Sequence, residues 1–200
     1  MANKRKKRQR IVNVQPLRTE EEILEMKFAI QRGNKGIPKR PELAERDVLL
    51  FLIGINTGLR VSDIVKLKVS DVKDKDHFWV LEGKTQKPRK VDIRMLKNEI
   101  NHFTRDKNAN DYLFKSQKSD GHITTTQVYR ILTDAADLLG RDDIGTHTMR
   151  KTFGYHYYKR TKDIAMLQEI FNHASPSITK RYIGITQDEI DKSLAGFRLG

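Results

Sequence analysis

The stretch "GTHTMRKTFGYHYYKR", residues 145–160, decides how the fold and the function of this chain are interpreted. It combines six cationic or imidazole side chains with three tyrosines and predicts a helix over about 147–160. His147 and Arg150 are three residues apart and share a face of the first turn, where free backbone N–H groups and the helix dipole favour anions. The stretch therefore fits either a solvated basic helix with an aromatic inner face or a site that binds phosphate.

The charge of the chain indicates a polyanionic partner. The formal net charge is +13, and six of these charges lie in residues 1–10, so the other 190 residues still carry +7. A body that is basic as well as its tail favours nucleic acid. A membrane surface is disfavoured, because the sequence predicts no helix with a basic face opposite a broad apolar face.

Two further features of the composition exclude classes of protein. The chain has no cysteine, which excludes disulfides, thiol catalysis and thiolate metal sites and is compatible with a reducing cytoplasm. The longest apolar run, "DVLLFLIGI", is shorter than the ~18–20 residues of a membrane span and predicts a buried helix.

The hydropathy pattern predicts a mostly α fold with a small antiparallel β-sheet. Thr19 and Glu22 form a capping-box pattern at the start of a helix, and Gly58 ends a long buried helix. A short helix begins near Ser62. The runs "HFWVLEG" and "RKVDI" predict a hairpin with Lys84 near its bend. Further helices are expected over about 94–104, 125–139, 163–171, 176–182 and 187–195.

The domain organisation follows from the charge pattern and these elements. Residues 1–18 are predicted to be a disordered basic arm, because a run of like charges buries nothing. Residues 19–200 are expected to form one domain, since the sequence has no internal repeat and no linker after residue 40.

Four separated segments carry side chains suited to phosphate chemistry, and each has an ordinary explanation when taken alone. Arg60 can pair with Asp63 three residues later, Lys84 is a solvated turn lysine by default, and His173 can cap a helix end. Together they describe a site that holds one phosphate. Arginine forks match phosphate oxygens and stabilise five-coordinate phosphorus, while lysine or histidine protonates a leaving oxygen. Serine, tyrosine or water remains open as the nucleophile.

In order and spacing these segments resemble the tyrosine recombinases, also called the phage integrase family. "TGLRVSDI" resembles that family's first box, "HTMRKTF" its H-x-L-R-H-T-F box, and "NHASPSITKRYIG" its segment with the second histidine and the tyrosine. The hairpin lysine between the boxes and "DYLF" at 111–114 agree with the pattern. The resemblance covers about residues 20–195 and implies the fold of a tyrosine recombinase catalytic domain, a DNA breaking-rejoining enzyme.

The resemblance implies a site-specific DNA recombinase, or integrase, that works through a 3′-phosphotyrosyl intermediate. Tyr182 would be the nucleophile, Arg60 and Arg150 would clamp the non-bridging oxygens, and Lys84 would be the general acid. The two histidines, His147 and His173, would assist in proton transfer, and Asp63 would support the Arg60 side. A free tyrosine has a pKa of about 10, so nearby cations that favour the phenolate fit this role. The competing tyrosines at 155, 157 and 158 are interpreted as core or groove residues.

The chain departs from the family pattern at three points. Lys151 replaces the second histidine of the middle box, and Asn172 replaces a glycine, although asparagine also suits a left-handed helix terminus. Only about forty residues precede the first catalytic helix, so the family's usual N-terminal core-binding domain is expected to be absent. Candidate contacts to the DNA backbone are five basic side chains: Lys151, Lys159, Arg160, Lys180 and Arg181.

The expected partners are double-stranded DNA and further copies of the chain. The resemblance implies a homo-tetramer on DNA, joined through the C-terminal tail helix and helped by possible accessory proteins, in the cytoplasm of a bacterium or of a phage host. No cofactor or metal is expected, because the sequence has no phosphate-binding loop and no acid or histidine cluster at ligand spacing. The alternatives are DNA relaxation like that of a type IB topoisomerase and a non-catalytic DNA-binding regulator.

Overall fold

The computed structural model describes residues 14–33, 39–81, 83, 88–185 and 192–198. Within them the chain is mostly helical with one hairpin, in agreement with the predicted fold class. The α-helices are α1 (Glu20–Arg32), α2 (Pro41–Thr57), α3 (Val61–Ile64), α4 (Val69–Val72), α5 (Lys97–Thr104), α6 (Thr125–Leu138), α7 (Thr146–Thr161), α8 (Ile164–Phe171) and α9 (Pro176–Tyr182); the strands are β1 (His77–Leu81) and β2 (Pro88–Asp92), and a 3-10 turn covers Arg94–Leu96. No helix of the described ranges is long and apolar enough to cross a bilayer.

Local signals set most of the helix ends. At the start of α1, Thr19 Oγ1 accepts the Glu22 N–H at 3.1 Å and the Glu22 carboxylate accepts the Thr19 N–H, which confirms the predicted capping box. At the end of α2, Gly58 is left-handed with φ +64°, a conformation that glycine adopts without the steric cost of a Cβ. α4 was not among the predicted helices, because a four-residue helix is too short to show periodicity.

The predicted hairpin is present as an antiparallel pair. Phe78 pairs with Val91, and both face the core, whereas Trp79 on the opposite face is exposed. Arg89 fastens the hairpin to the body by donating a hydrogen bond from NH2 to the Thr57 carbonyl at 2.7 Å. The bend that carries Lys84 lies outside the described residues.

The core has two parts. The larger cluster is centred on α2, whose fully buried Phe51 and Ile53 lie among apolar side chains from most of the elements. The smaller cluster consists of Leu167, Phe171 and Ile183 with surrounding aromatic side chains. Because Phe171 ends α8 and Ile183 follows α9, the smaller cluster fixes the C-terminal helices against α7.

Residues 14–18 differ from the predicted disordered arm. They run as an extended segment against α7, with Pro16 buried and Leu17 fully buried. The prediction of an arm through residue 18 was therefore too long, because the basic run ends at Arg10 and the next residues are apolar enough to pack. Residues 1–13 lie outside the described part of the chain, as do residues 187–191 of the predicted tail helix; Lys192–Leu194 are helical.

We expect Gly154→Ala to destabilise the fold, although alanine is the better helix former by ~1 kcal/mol. A Cβ at residue 154 would lie 2.6 Å from Ile183 Cγ2 and 2.8 Å from the Phe171 ring. Overpacking of this kind costs about 1–3 kcal/mol, so the steric term exceeds the propensity gain. Thermal unfolding followed by circular dichroism measures the effect.

The matched control is Gly140→Asn, at a left-handed position (φ +68°) where nothing lies within 4 Å of an added Cβ. Asparagine tolerates this conformation, so the Tm of Gly140→Asn should stay close to that of the wild type. A Tm of Gly154→Ala equal to or above the wild-type value would contradict the close packing inferred here.

Candidate active site

The start of α7 brings His147 and Arg150 to one pocket. α7 begins after Gly145, whose N–H donates to Thr148 Oγ1 at 3.1 Å, and its first turn opens into a cavity of about 200 Å³. Arg60, directly before α3, also lines the cavity. The lining is completed by Leu59, Val61, Ser62, Thr125 and Thr146. The structure thus brings together the two predicted arginines and the first predicted histidine.

Arg150 is a buried cation held by backbone carbonyls. Its side chain is 3% exposed, NH1 donates to the Gly58 carbonyl at 2.6 Å, and NH2 donates to the Phe171 carbonyl at 2.9 Å. The guanidinium carbon also lies 4.3 Å from the centre of the Phe171 ring. The two carbonyls are neutral, so they orient the guanidinium without supplying a counter-charge of their own.

Tyr182, the last residue of α9, lies inside a cage of aromatic and imidazole rings. Its ring centre is 5.1 Å from that of His173 and 5.6 Å from that of Phe171. The phenol oxygen lies 3.0 Å from His147 Nδ1, within hydrogen-bond distance. Lys151 Nζ lies 5.4 Å from the centre of the Tyr182 ring. The predicted nucleophile is therefore in contact with His147, one of the two histidines predicted to assist in proton transfer.

The environment of Tyr182 acts on its acidity in two directions. Burial raises the pKa of Tyr182 to about 12, against the opposing effect of the Arg150 and Arg60 charges and of a hydrogen bond from Arg150. In the DNA-free protein the phenol therefore keeps its proton at neutral pH. The two guanidinium groups lie close enough to act on the phenol oxygen, so the five predicted residues in the described part of the chain form one site.

His173 is oriented by a residue that sequence reasoning did not single out. Asn172 ends α8 in the left-handed conformation with φ 51°, as its replacement of a glycine predicted. The chain then turns so that His173 Nδ1 lies 3.1 Å from Thr179 Oγ1, a fully buried hydroxyl. Thr179 lies within the segment "NHASPSITKRYIG", so the spacing to His173 was available as a signal.

Asp63 lies beside the hairpin that carries Lys84. It is 4% exposed, and its Oδ1 accepts the Gly83 N–H at 3.2 Å, while Oδ2 is buried without a hydrogen-bond partner. Lys84 itself lies outside the described residues. The carboxylate thus holds the residue directly before the predicted general acid, on the same short helix that Arg60 begins.

The five candidate DNA contacts are spread over the surface. Lys151 is half-buried, and burial lowers its pKa. Lys159 and Arg160 are exposed at the far end of α7, about 14 Å along the helix from Arg150 at a 1.5 Å rise per residue. In α9, Arg181 is exposed, while Lys180 lines a different pocket with Lys159 and Tyr158.

The three competing tyrosines lie elsewhere. Tyr155 is buried beneath Arg18, whose guanidinium carbon is 5.5 Å from its ring centre. Tyr157 stacks on Phe153 at 5.9 Å and, with Tyr158, packs on the smaller core cluster.

As for metals, no group of three acid or histidine side chains within the described ranges is arranged to hold an ion.

Comparison with known sequences identifies relatives of the chain. The sequence model of the phage integrase family matches residues 19–189. The probable integrase/recombinase YoeC of Bacillus subtilis strain 168 is 53% identical over 176 residues, which are 88% of this chain and 92% of that protein. Tyrosine recombinase XerA of Pyrococcus furiosus is 32% identical over 154 residues, 74% of this chain and 54% of that protein. The chain thus spans most of YoeC but about half of XerA.

Solved structures share the fold. The XerH recombinase bound to its palindromic difH substrate in a post-cleavage complex superposes with a TM-score of 0.71 at 22% identity, covering 88% of this chain and 51% of that one. A lambda integrase dimer bound to a COC′ core site has a TM-score of 0.62 at 19% identity, covering 89% and 63% of the two chains. These similarities confirm the predicted fold.

We expect Tyr182 to stay protonated at about pH 11, where an ordinary tyrosine with a pKa of about 10 is mostly ionised. The folded state holds this proton more tightly than the unfolded chain does, so the contribution of Tyr182 to stability is present below pH ~10 and lost as the pH rises toward 12. The measurement is an alkaline titration of phenolate absorbance, comparing the wild type with Tyr182→Phe while circular dichroism monitors folding. Extra absorbance of the folded wild type with a midpoint near pH 10 would contradict the raised pKa.

Proposed function

This chain belongs to the phage integrase family, the tyrosine-type site-specific recombinases, and from that premise we propose that it cleaves and rejoins double-stranded DNA through a 3′-phosphotyrosyl intermediate. The observation that carries the proposal is the 3.0 Å separation between His147 Nδ1 and the Tyr182 phenol oxygen, next to the buried cation of Arg150. A phenol, a proton acceptor and fixed positive charge are what a phosphoryl transfer from DNA to tyrosine requires.

Cleavage begins with loss of the phenol proton. Because burial holds the pKa of Tyr182 at about 12, the hydroxyl is a poor nucleophile in the absence of DNA. His147 takes the proton as the phenol oxygen attacks the phosphorus. The bond between phosphorus and the bridging 5′-oxygen then breaks, and the departing 5′-oxygen receives a proton from Lys84. The products are a 3′-phosphotyrosyl link at Tyr182 and a free 5′-hydroxyl.

The arginines stabilise the charge that develops on the phosphate. The non-bridging oxygens gain negative charge in the five-coordinate state, and Arg60 and Arg150 line the same cavity. Arg150 needs no reorganisation, because two carbonyls already fix its guanidinium, and fixed donors of this kind stabilise a transition state most effectively. His173, held by Thr179, supports the phosphate by hydrogen bonding. Rejoining is the reverse reaction with a 5′-hydroxyl as the nucleophile, so no external energy source is required.

We propose double-stranded DNA as the substrate and a tetramer as the assembly. The net charge of +13 and the DNA in the structures of XerH and lambda integrase support double-stranded DNA as the substrate. We place the protein in the cytoplasm, where nucleoid or phage DNA is found. Recombination needs two DNA sites and therefore several copies of the chain, which we propose to be a tetramer joined through the tail, with accessory proteins aiding site choice.

The direct test is covalent trapping on a nicked suicide substrate, with DNA flanking the gene as the source of sites. Wild-type protein should form a protein–DNA adduct that resists denaturation, and Tyr182→Phe, which lacks the attacking oxygen, should form none. Tyr157→Phe is the matched control, because that tyrosine packs on Phe153 outside the site, and its adduct yield should equal that of the wild type.

Adduct trapping, together with a plasmid relaxation assay, separates the alternatives. A DNA-binding regulator would bind this DNA without any adduct. A type IB topoisomerase would form adducts and also relax a supercoiled plasmid that carries no recombination site, whereas a recombinase should leave that plasmid supercoiled. An adduct that persists in Tyr182→Phe would refute the assignment of the nucleophile.

We further predict that Asp63 acts through Lys84 by holding Gly83. Asp63→Ala removes the acceptor of the Gly83 N–H, and a displacement of about 1 Å at a reacting group costs on the order of 10²-fold in rate. Asp63→Asn keeps an acceptor oxygen and should lose much less. In single-turnover cleavage, Asp63→Ala should therefore be slow alone but add little to Lys84→Ala, since both remove the same contribution.

A substrate with sulfur in place of the 5′-bridging oxygen provides the control. A thiolate leaves without protonation, because thiols have a pKa of about 8.5, so this substrate should restore cleavage by Asp63→Ala and Lys84→Ala alike. Multiplicative losses in the double variant, or no rescue by the sulfur substrate, would show that Asp63 acts independently of Lys84.

A further inference from the structure

An extended segment, residues 14–18, crosses the side of α7 next to the active site, and we refer to it as the strap. It is fastened to the loop before α7 and to α7 itself: the Gln15 N–H donates to the Asp143 carbonyl at 2.9 Å, and the Leu17 N–H donates to the buried hydroxyl of Thr152, in α7, at 2.9 Å. The Leu17 carbonyl lies 3.0 Å from His156 Nε2. The match to the family begins at residue 19, so the strap lies outside the region that the family model describes.

One end of the strap contacts Lys151, whose ammonium lies over the ring of Tyr182. Lys151 Nζ donates to the Val14 carbonyl at 2.6 Å, and the same Nζ lies 5.4 Å from the centre of the Tyr182 ring. A lysine side chain has four rotatable bonds, so an unanchored ammonium would sample many positions. The hydrogen bond to the Val14 carbonyl holds the Lys151 ammonium in the position above the Tyr182 ring. Lys151 is thereby turned inward rather than toward solvent.

The other end of the strap holds the backbone beyond the nucleophile. Arg18 NH2 donates to the Gly184 carbonyl at 3.1 Å, two residues after Tyr182. Gly184 is left-handed, with φ +74°, and a Cβ there would lie 3.4 Å from Arg18 NH2, 3.5 Å from Gln15 Oε1 and 3.6 Å from Pro16 Cδ. The strap therefore packs directly on the turn that ends α9.

We propose that the strap is a positioning element of the active site, which fixes Tyr182 from both sides through Lys151 over its ring and Arg18 on the Gly184 carbonyl. The proposal rests on the proposed function, since it concerns the same nucleophile. Lys151 and Arg18 are positioning residues in this scheme, because neither reaches the reacting oxygen.

The need for such an element follows from the geometry of α9. This helix has only seven residues, and Tyr182 is its last, so the nucleophile lies at a helix end, where backbone hydrogen bonds are incomplete. In-line attack on phosphorus requires the phenol oxygen to be held closely, since a shift of about 1 Å costs on the order of 10²-fold in rate. Ile183 anchors the turn from the core side, and the strap anchors it from the outside.

Two other roles for the same contacts make different predictions. If the strap only braces the fold, removing its contacts lowers the Tm and leaves the cleavage rate of the folded, DNA-bound protein unchanged. If Lys151 instead binds a DNA phosphate, its removal weakens DNA affinity and reduces the salt dependence of binding. A positioning role lowers the rate of the chemical step at saturating DNA, with affinity retained.

The experiment uses the full chain with Lys151→Met and Arg18→Met, which keep an unbranched apolar side chain and remove the donors. Lys151→Arg and Arg18→Lys are the conservative variants. Lys118→Met and Arg105→Met are charge-matched controls at exposed positions between α5 and α6. For each protein we would measure the Tm, the Kd for a nicked suicide substrate, and the single-turnover rate of adduct formation with DNA in excess.

We expect each methionine variant to cleave about tenfold or more slowly, as a fraction of an ångström of displacement would cause, with a Kd within about threefold of the wild-type value. The conservative variants should recover most of the rate, and the controls should match the wild type. The double variant should be less impaired than the product of the two single losses, because both act on one segment. The 5′-sulfur substrate should not rescue, because the strap acts on the nucleophile and not on the leaving group.

The outcomes are distinguishable from failure of the proposed function. If wild-type protein forms no adduct, the proposed function fails first. If the wild type cleaves and both methionine variants cleave at its rate, the strap proposal is overturned, and the same holds if they lose only affinity. Neither position carries a fully buried side chain, so both variants should fold; should one unfold, the rate of the other decides.

Discussion

The active site depends on the two hydrogen bonds that Arg150 donates to the carbonyls of Gly58 and Phe171. These bonds join the middle of the chain, where α2 ends, to the end of α8, with α7 between them. A buried guanidinium without partners would be strongly destabilising, so the two carbonyls make its burial possible. Because they are dipoles and not carboxylates, neither of them places a negative charge beside the guanidinium. The positive charge of Arg150 defines the cavity as a place for an anion.

Burial and the nearby positive charges act in opposite directions on the pKa of Tyr182. Burial of Tyr182 favours the neutral phenol, while Arg150 and Arg60 favour the phenolate. In the DNA-free protein the effect of burial exceeds that of the two charges, so the pKa of Tyr182 rises to about 12. His147, in hydrogen-bond contact with the phenol oxygen, offers the proton a destination once a phosphate occupies the cavity.

Supporting contacts surround this centre at greater distance. Thr179 orients His173, Asp63 holds Gly83 in front of Lys84, and the strap at residues 14–18 lies across α7 toward the turn after Tyr182. Each of these contacts joins segments that are distant in sequence or that lie around a turn. The site is therefore a meeting point of short elements, and the long central helices, α2 and α7, serve as its frame.

Sequence reasoning found what is encoded locally or in ordered motifs. The capping box at Thr19, the left-handed ends at Gly58 and Asn172, and the hairpin strands follow from side-chain chemistry within a few residues, and the structure agrees with each. The family resemblance supplied the identity of Arg60, His147, Arg150, His173 and Tyr182. In the fold the first three line one cavity, and the rings of His147 and His173 contact that of Tyr182.

Only the tertiary structure decided which contacts those residues make. From the sequence, Lys151 is expected to be a surface cation of a basic helix. In the structure, a hydrogen bond to the Val14 carbonyl holds its ammonium above the Tyr182 ring. Residues 14–18 follow a charged run and read as disordered, yet Leu17 is fully buried against α7. Thr179 and Phe171 read as ordinary helix residues, yet one orients His173 and the other holds Arg150. The physical reason is that propensities and motifs act over a few positions. Hydrogen bonds and burial also depend on neighbours that folding brings together, some of them more than a hundred residues apart in the chain.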